Sequence, residues 1–345
     1  MPDSTGPLAL VTGATGFIGA SLCQALMQIG YRVRAFHRPT SPSDLLAGLH
    51  LEHAPGDITQ PESLAAAMHG VQVVFHTAAM LRARRDDRRM YAITVEGTRN
   101  VLQAAAGAGV RRVVHTSSVA ALGVPPHAPI SSSDPGSNLL MDERHTWNYA
   151  PEWWRYGHAK YLAEMEVQEA VARGLDVVIV NPAVVVGAGD INRVTGNVII
   201  RVAQGRVPVA IPGGLNAVHI EDVVRGHLAA LNSGRTGERY ILGGENLSHL
   251  RFLQLIAEIA GVRAPLVRLP AGLAQVLAGP VSVAGRWLPL PVAGSALRRV
   301  GLFFYYDTTK ARLELGLTNL RPVSQAIEEA IAWYAQRGVL SGWRS

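Results

Sequence analysis

A tyrosine and a lysine stand four residues apart in Tyr156-Gly-His-Ala-Lys160. On a helix that spacing puts both side chains on one face. An ammonium beside a phenol favours the phenolate and lowers its pKa. Such a tyrosine can give a proton to a carbonyl oxygen, or take one from an alcohol, near neutral pH. Lys160 is one of only two lysines in the chain, the other being Lys310, whereas lysines and arginines together number 32. The planar fork of arginine does not replace a compact ammonium at such a place. A serine of the pair Ser117-Ser118 is available to hold the same substrate oxygen. Read alone, Tyr-x-x-x-Lys is a weak motif, since an ordinary surface helix carries such a pair by chance.

A second constellation gives it context. Leu8 to Val11 is an apolar run of strand length, followed by Gly13, Gly16 and Gly19 at a spacing of three. Ser21 to Ile29 then reads as a helix, with Leu22, Ala25, Leu26 and Ile29 on one face and Gly30 as its stop. Strand, glycine turn and helix form the first half of a βαβ unit. Glycines there let the backbone turn sharply and approach a pyrophosphate, and the helix N-terminus offers free N–H groups and a positive dipole end. The spacing is G-x-x-G-x-x-G, not the commoner G-x-G-x-x-G.

The rest of the first half repeats this alternation. Strands are expected at Tyr31–Phe36, Leu49–Ala54, Val71–His76, Val110–Thr116 and Leu175–Val180. Helices are expected at Pro61–His69, Tyr91–Ala108 and Trp153–Ala172. Short apolar strands alternating with helices signal a parallel sheet covered on both faces. Residues 120–151 are rich in Pro, Ser, Asp and Gly and read as a long connection, a kind that is usually functional. Beyond Pro182 the rhythm loosens. Residues 191–214 hold a helix and a short strand, helices follow at Ile220–Asn232 and Leu247–Ile259, Tyr240–Leu242 is a strand, and Val323–Gln336 is a final helix. The glycine loop, Arg38, Asp57, Ala78-Ala79, Ser117-Ser118 and Asn181 all fall at the carboxyl ends of expected strands. Ligands of open α/β sheets bind at that edge.

The fold expected is therefore α/β, a Rossmann-type doubly wound parallel sheet with a smaller, mostly helical C-terminal substrate lobe. Residues 1–182 form the NAD(P)-binding domain, with 215–242 returning to it, and residues 183–214 and 243–345 form the substrate lobe. With 345 residues and 48 % hydrophobic content the chain can bury a full core. The first apolar run leads into the glycine loop rather than forming a signal segment. The apolar stretch Leu269–Val292 is interrupted by Pro280, Arg286, Pro289 and Pro291, so stable membrane insertion is not expected. A single cysteine, Cys23, excludes an internal disulfide and a Cys-based metal site and fits a cytoplasmic protein. No metal is expected. The net charge of +6 is carried almost wholly by arginine, with one dense cluster from Arg82 to Arg89 interrupted by two aspartates. That cluster reads either as a solvated loop and helix start or as a rim that attracts phosphorylated ligands, and nucleic acid is not an expected partner.

Taken in order, Thr12-Gly-Ala-Thr-Gly-Phe-Ile-Gly19, His76-Thr-Ala-Ala79, Thr116-Ser-Ser118, Tyr156-x-x-x-Lys160 and Asn181-Pro182 resemble the motifs of the extended short-chain dehydrogenase/reductase family over nearly the whole chain. The resemblance implies that Tyr156 is the general acid/base, that Lys160 orients the nicotinamide ribose and lowers the tyrosine pKa, and that Ser118 rather than Ser117 polarises the substrate oxygen. It implies cofactor contacts from Gly13, Thr15, Gly16, Phe17, Ile18, Gly19, Arg38, Asp57, Ile58, Ala78, Ala79, Thr116, Tyr156, Lys160, Pro182 and Val184. It also implies a homodimer through the helices at 91–108 and 153–172. One departure is Thr94, where relatives often carry the Asn of Asn-Val-x-Gly-Thr. If that Asn supports a proton relay in relatives, the relay is altered here. Arg38 stands where NAD-preferring members place an acid, which resembles the dihydroflavonol-4-reductase-like branch. An arginine there pairs with a 2′-phosphate, so NADP(H) is favoured, with NAD(H) as the alternative. The segments 218–224, 238–246 and 309–316 are similar to proteins called hopanoid-associated sugar epimerases.

Trp147, Tyr149, Trp153 and Trp154 crowd the approach to Tyr156. They either anchor a long loop or wall the site with apolar surface for a hydrophobic carbonyl. Trp147 and Trp153, with Ser118 and Tyr156, are the expected substrate contacts. His158, two residues from Tyr156, points away and reads as structural. Three activities follow from these residues. The first is an NADP(H)-dependent oxidoreductase interconverting a ketone or aldehyde and an alcohol, on a hydrophobic or aromatic small molecule. The second is an NAD-dependent (nucleotide-)sugar epimerase or dehydratase. The third is a non-catalytic cofactor sensor, against which the intact Ser, Tyr and Lys weigh.

Overall fold

The computed structural model describes residues 6–81, 87–125, 140–264, 267–268 and 298–340. The first strand, Leu8–Thr12 (β1), is buried along its whole length. It is an interior strand of a sheet covered on both faces, which is why its residues are apolar without alternation. Arg32–His37 (β2) and Val73–His76 (β4) flank it in parallel register, and Glu52–Pro55 (β3), Arg112–Thr116 (β5) and Val177–Pro182 (β6) extend the parallel sheet outward from them. Their order is β3-β2-β1-β4-β5-β6, and Arg239–Leu242 (β10) closes the sheet beside β6 as a seventh parallel strand. The chain order therefore reverses at β1, and β1 and β4 part their connecting chain to opposite sides. That is the switch point where such sheets bind ligands.

Successive residues of a strand face opposite ways. Ala9 and Val11 join the core beneath the helices Phe17–Gln28 (α1) and Ile220–Ser233 (α7), with Leu22, Leu26, Val223 and Leu231. Leu8 and Leu10 join the other core, beneath Pro61–Ala67 (α2), Gly97–Gly107 (α4) and Arg155–Ala172 (α5), with Leu64, Val101, Leu102 and Val167. A third core holds the C-terminal elements together. Ile199 and Val202 of Gly196–Ala203 (α6), Phe252 and Ile256 of His249–Ala260 (α8), and Ile327, Ile331 and Tyr334 of Val323–Gln336 (α10) meet there. Between these lie Val184–Val186 (β7), Gly214–His219 (β9) and Glu245–Ser248 (β11), a three-stranded sheet of order β11-β9-β7. Val209–Ala210 (β8) pairs with Val267–Arg268 (β12), and Thr309–Glu314 (α9) packs beside β10.

Several boundaries differ from the sequence expectation, each for a local reason. Helix α1 starts at Phe17, not Ser21, because the glycine turn itself caps it: Gly16 N–H donates to Gly13 O at 2.9 Å and Ala20 N–H to Gly16 O at 2.9 Å. Helix α5 starts at Arg155, not Trp153, because Trp154, at φ −150° and ψ 70°, breaks from helical geometry after the tight turn at Pro151–Trp153. The helix expected over 91–108 is interrupted. Asp87–Tyr91 (α3) gives way to a π-helical turn at Ala92–Glu96 before α4. In that turn the Thr98 hydroxyl donates to the Thr94 carbonyl at 2.7 Å. Residues 126–139 of the long connection, 82–86 of the basic cluster and the stretch Leu269–Val292 lie outside the described residues. Among the described residues no helix is long and apolar enough to cross a membrane.

Candidate active site

A cavity of about 710 Å³ runs along the carboxyl edge of the large sheet. The turn after β1 forms its floor. Gly13 has φ +68°, and a Cβ there would lie 2.8 Å from the Ala78 nitrogen. A Cβ on Gly19 would lie 2.3 Å from the Gly13 carbonyl oxygen. These two positions accept nothing but glycine, and they leave bare backbone and the N-terminus of α1 facing the cavity, the arrangement that suits a pyrophosphate. Thr15, Gly16, Phe17 and Ile18 line the same wall. At the end of β2, Arg38 reaches the cavity, and its guanidinium has no partner among the described residues. Asp57 and Ile58 follow β3, and Asp57 Oδ1 accepts from Thr59 N–H at 3.0 Å and from the Thr59 hydroxyl at 2.9 Å. Ala78, Ala79, Pro182 and Val184 also line the cavity. These residues fit a nicotinamide dinucleotide: a glycine cradle for phosphates, a free cation near the end of β2, and apolar backbone beyond.

The chemical groups converge at the other end. Tyr156 sits in the first turn of α5 and lines the cavity with Ser118, which follows β5. The Ser118 side chain is hydrogen-bonded to the Tyr156 phenol, and Ser118 Oγ also accepts from Ala120 N–H at 3.2 Å. One turn along, Lys160 is buried below the wall and its Nζ donates to the Thr116 carbonyl at 2.8 Å. Burial pushes the Tyr156 phenol up to about 12, against which the Ser118 hydrogen bond pulls it down. That direction corrects the expectation of a lowered phenol: in this geometry desolvation outweighs any help from the ammonium. Burial also pulls Lys160 down to about 8, while the Glu164 carboxylate pulls it up.

Three expected contacts lie elsewhere. Thr116 does not face the cavity. The pleat turns its side chain the same way as Val114, toward α7, where its hydroxyl meets His227 Nε2 at 2.8 Å, and only its carbonyl serves Lys160. Trp147 lies over Gly157, where a Cβ would meet its ring at 2.6 Å, and packs on Tyr161 and His158. Trp153 is 39 % exposed beneath the guanidinium of Arg298. It is Trp154 that walls the cavity, edge-on to Phe304 at 5.6 Å, with Tyr306 and Leu215 beside them. His158 faces away, hydrogen-bonded to the Tyr91 hydroxyl at 3.0 Å. Thr94 is buried in the π-helical turn and its hydroxyl accepts from Met80 N–H at 3.4 Å.

The C-terminal wall was not legible in any motif. Leu215, Asn216, His249, Arg299, Phe304 and Tyr306 come from separate segments. Backbone pairing gathers them: Gly214 N–H donates to Leu302 O at 3.1 Å and Phe304 N–H to Gly214 O at 3.0 Å. Glu164, by contrast, had a signal, for it repeats the four-residue spacing of Tyr156 and Lys160 on the same helix.

A profile of the NAD dependent epimerase/dehydratase family matches residues 9–243. The chain belongs to this family. Its members bind a nicotinamide cofactor, in accord with the cradle described above, and the chain is an oxidoreductase of the extended short-chain type. Sterol demethylase protein B of Methylococcus capsulatus is 36 % identical, over 96 % of this chain and 99 % of that protein. The 4-hydroxy-2-methyl-3-oxo-4-farnesyl-3,4-dihydroquinoline-1-oxide ketoreductase of Stigmatella aurantiaca is 31 % identical, over 89 % of this chain and 90 % of that one. Among solved structures, a nucleoside-diphosphate-sugar epimerase from Pseudomonas aeruginosa superposes with a TM-score of 0.78 and 27 % identity, covering 97 % of this chain and 99 % of that chain.

Proposed function

We propose that this family member is an NADP(H)-dependent oxidoreductase that interconverts a ketone or aldehyde and an alcohol on a bulky apolar molecule. One observation carries the reading. The hydrogen-bonded Ser118 and Tyr156 pair opens onto a cavity whose facing wall is Trp154, Phe304 and Tyr306. Aromatic surface of that kind takes apolar rings or isoprenoid chains more readily than a sugar. The names of the two relatives, sterol demethylase protein B and a farnesyl-dihydroquinoline-oxide ketoreductase, support the same substrate class. In this reading residues 1–182 with 215–242 bind the cofactor, and residues 183–214 and 243–345 bind the substrate.

Bound nicotinamide would supply the hydride. Ser118 Oγ holds the substrate oxygen, and Tyr156 gives that oxygen its proton as the alcohol forms. A phenol pushed up to about 12 is protonated at neutral pH and is therefore ready to give a proton, which favours the reductive direction. Lys160, buried beneath, orients the cofactor ribose. Arg38, at the end of β2 and without a partner among the described residues, meets the 2′-phosphate and selects NADP(H).

The test is nicotinamide absorbance with cofactor-stripped protein, NADPH or NADH, and a panel of aromatic, terpenoid and aliphatic carbonyls. NADPH oxidation is expected, and Tyr156→Phe should lower turnover about 10²- to 10⁴-fold with little loss of cofactor binding. The family and the polar residues Asn216 and His249 at the cavity favour a second reading, a sugar epimerase or dehydratase. Retained NAD and no net change in absorbance with any carbonyl would establish that reading in place of the first.

A further inference from the structure

We infer that Glu164 is a positioning residue of this site: its buried carboxylate clamps the helix that carries Tyr156 and Lys160 onto three neighbouring strands, and holds an anion one helical turn from Lys160. The inference rests on the proposed function only in taking Lys160 as the residue that meets the cofactor ribose.

The carboxylate is 1 % exposed and satisfied from three directions. Its Oε1 accepts from the Ser117 hydroxyl at 2.5 Å and from Asn181 Nδ2 at 2.7 Å. Its Oε2 accepts from Arg239 at 3.0 Å. Ser117 directly follows β5 and is adjacent to Ser118. Asn181 belongs to β6, precedes Pro182, and also donates to the Ser118 carbonyl at 3.0 Å. Arg239 begins β10 and is fixed by the Glu143 and His145 carbonyls, each at 2.9 Å. One side chain thus joins α5 to three neighbouring strands at the level of the reacting groups. Removing it would free Ser118 and Tyr156 to shift relative to each other, and displacements near 1 Å are costly to catalysis.

The charge has its own consequence. The titratable groups around Lys160 are Tyr156 and Glu164 on its own helix, His76 on β4 and His115 on β5. Both histidines are buried and held neutral, so among the described residues Glu164 is the anion acting on the ammonium. Around Glu164 the nearest cation is Arg239. Beyond it a polar cavity of about 570 Å³ is lined by Asp142, Glu143, Arg144, Glu238, Asp307 and Lys310, among others. Glu164 lies between that cavity and the candidate active site.

The experiment is a fluorescence titration of NADPH binding against pH, with turnover measured in parallel, for wild type, Glu164→Gln, Glu164→Asp and Ser117→Ala. Wild-type affinity should fall on the alkaline side around pH 8, as Lys160 loses its proton. Glu164→Gln, which removes the charge and keeps the shape, should move that fall about one pH unit toward acid. At pH 8 this amounts to binding weaker by about fivefold, approaching tenfold above about pH 9. Glu164→Asp and Ser117→Ala keep the charge and loosen the clamp, so they should leave the binding profile in place and lower turnover several-fold. A folded Glu164→Gln protein with the wild-type binding profile overturns the electrostatic part. If Glu164→Gln fails to fold, wild-type turnover in both Glu164→Asp and Ser117→Ala overturns the clamp. Binding shifts without carbonyl turnover in any protein would instead count against the proposed function and leave Glu164 in its role.

Discussion

Replacing His227 by leucine trades a hydrogen bond for relief from a protonation that the folded chain resists, and the two effects depend on pH differently. His227 is fully buried on α7. Its Nε2 meets the Thr116 hydroxyl at 2.8 Å and its Nδ1 the Val223 carbonyl at 2.7 Å. Burial pulls its pKa down from 6.5 to about 4. The folded pKa lies below the unfolded one, so the stabilisation from a neutral His227 is complete above pH 6.5. It is lost as pH falls through 6.5 toward 4, because the unfolded chain binds a proton that the folded chain does not. Each pH unit in that window is worth about 1.4 kcal/mol, which makes the loss about 2 kcal/mol at pH 5. Leucine carries no such penalty, but leaves the Thr116 hydroxyl without its partner, at a cost of about 1–3 kcal/mol at every pH. Urea unfolding followed by circular dichroism at pH 7, 6, 5.5 and 5 should therefore show the variant less stable at pH 7 and the two proteins converging by about pH 5. His76 and His115 are pulled down in the same direction and titrate in both proteins, so the difference isolates His227. A stability gap that stays constant from pH 7 to pH 5 would refute the claim that His227 is buried neutral.

Two substitutions test the cofactor cradle. Arg38→Ala should lower the preference for NADPH over NADH by about 10- to 100-fold, the worth of a hydrogen-bonded charge, read as the ratio of kcat/KM values; an unchanged ratio would remove Arg38 from cofactor selection. Gly19→Ala places a methyl group 2.3 Å from the Gly13 carbonyl oxygen, so the turn must open. NADPH affinity should then drop by more than about tenfold while the circular dichroism spectrum is retained, and wild-type affinity would show that the turn does not hold the phosphates.

What was legible in the sequence was what is local. The run Leu8–Val11, the three glycines and the Tyr156/Lys160 pair each declare themselves within a few residues, because strand burial, a tight turn and a helical face are short-range properties. The strand ends could be read together because a parallel sheet places them all at one edge. Rotational detail was harder. Trp147, Trp153 and Trp154 are equivalent in composition, and only tertiary packing distinguishes Trp154, which lines the cavity, from the other two. For Thr116, the alternation of the strand was the missing information. The phenol of Tyr156 went against expectation because desolvation depends on the whole surrounding wall, which a four-residue motif does not contain. Leu215, Phe304 and Tyr306 were invisible for a different reason: only tertiary pairing between β9 and the segment around Phe303 brings them to one place.

None of Trp154, Leu215, Phe304 and Tyr306 belongs to the seven-stranded sheet. Leu215, Phe304 and Tyr306 stand on segments apart from the glycine turn, the strand ends and the helix that bears Tyr156, whereas Trp154 caps that helix. Substrate preference in this scaffold is thereby free to diverge under selection while hydride chemistry is inherited intact, since the residues that would be mutated to admit a new molecule are not the ones that hold the cofactor.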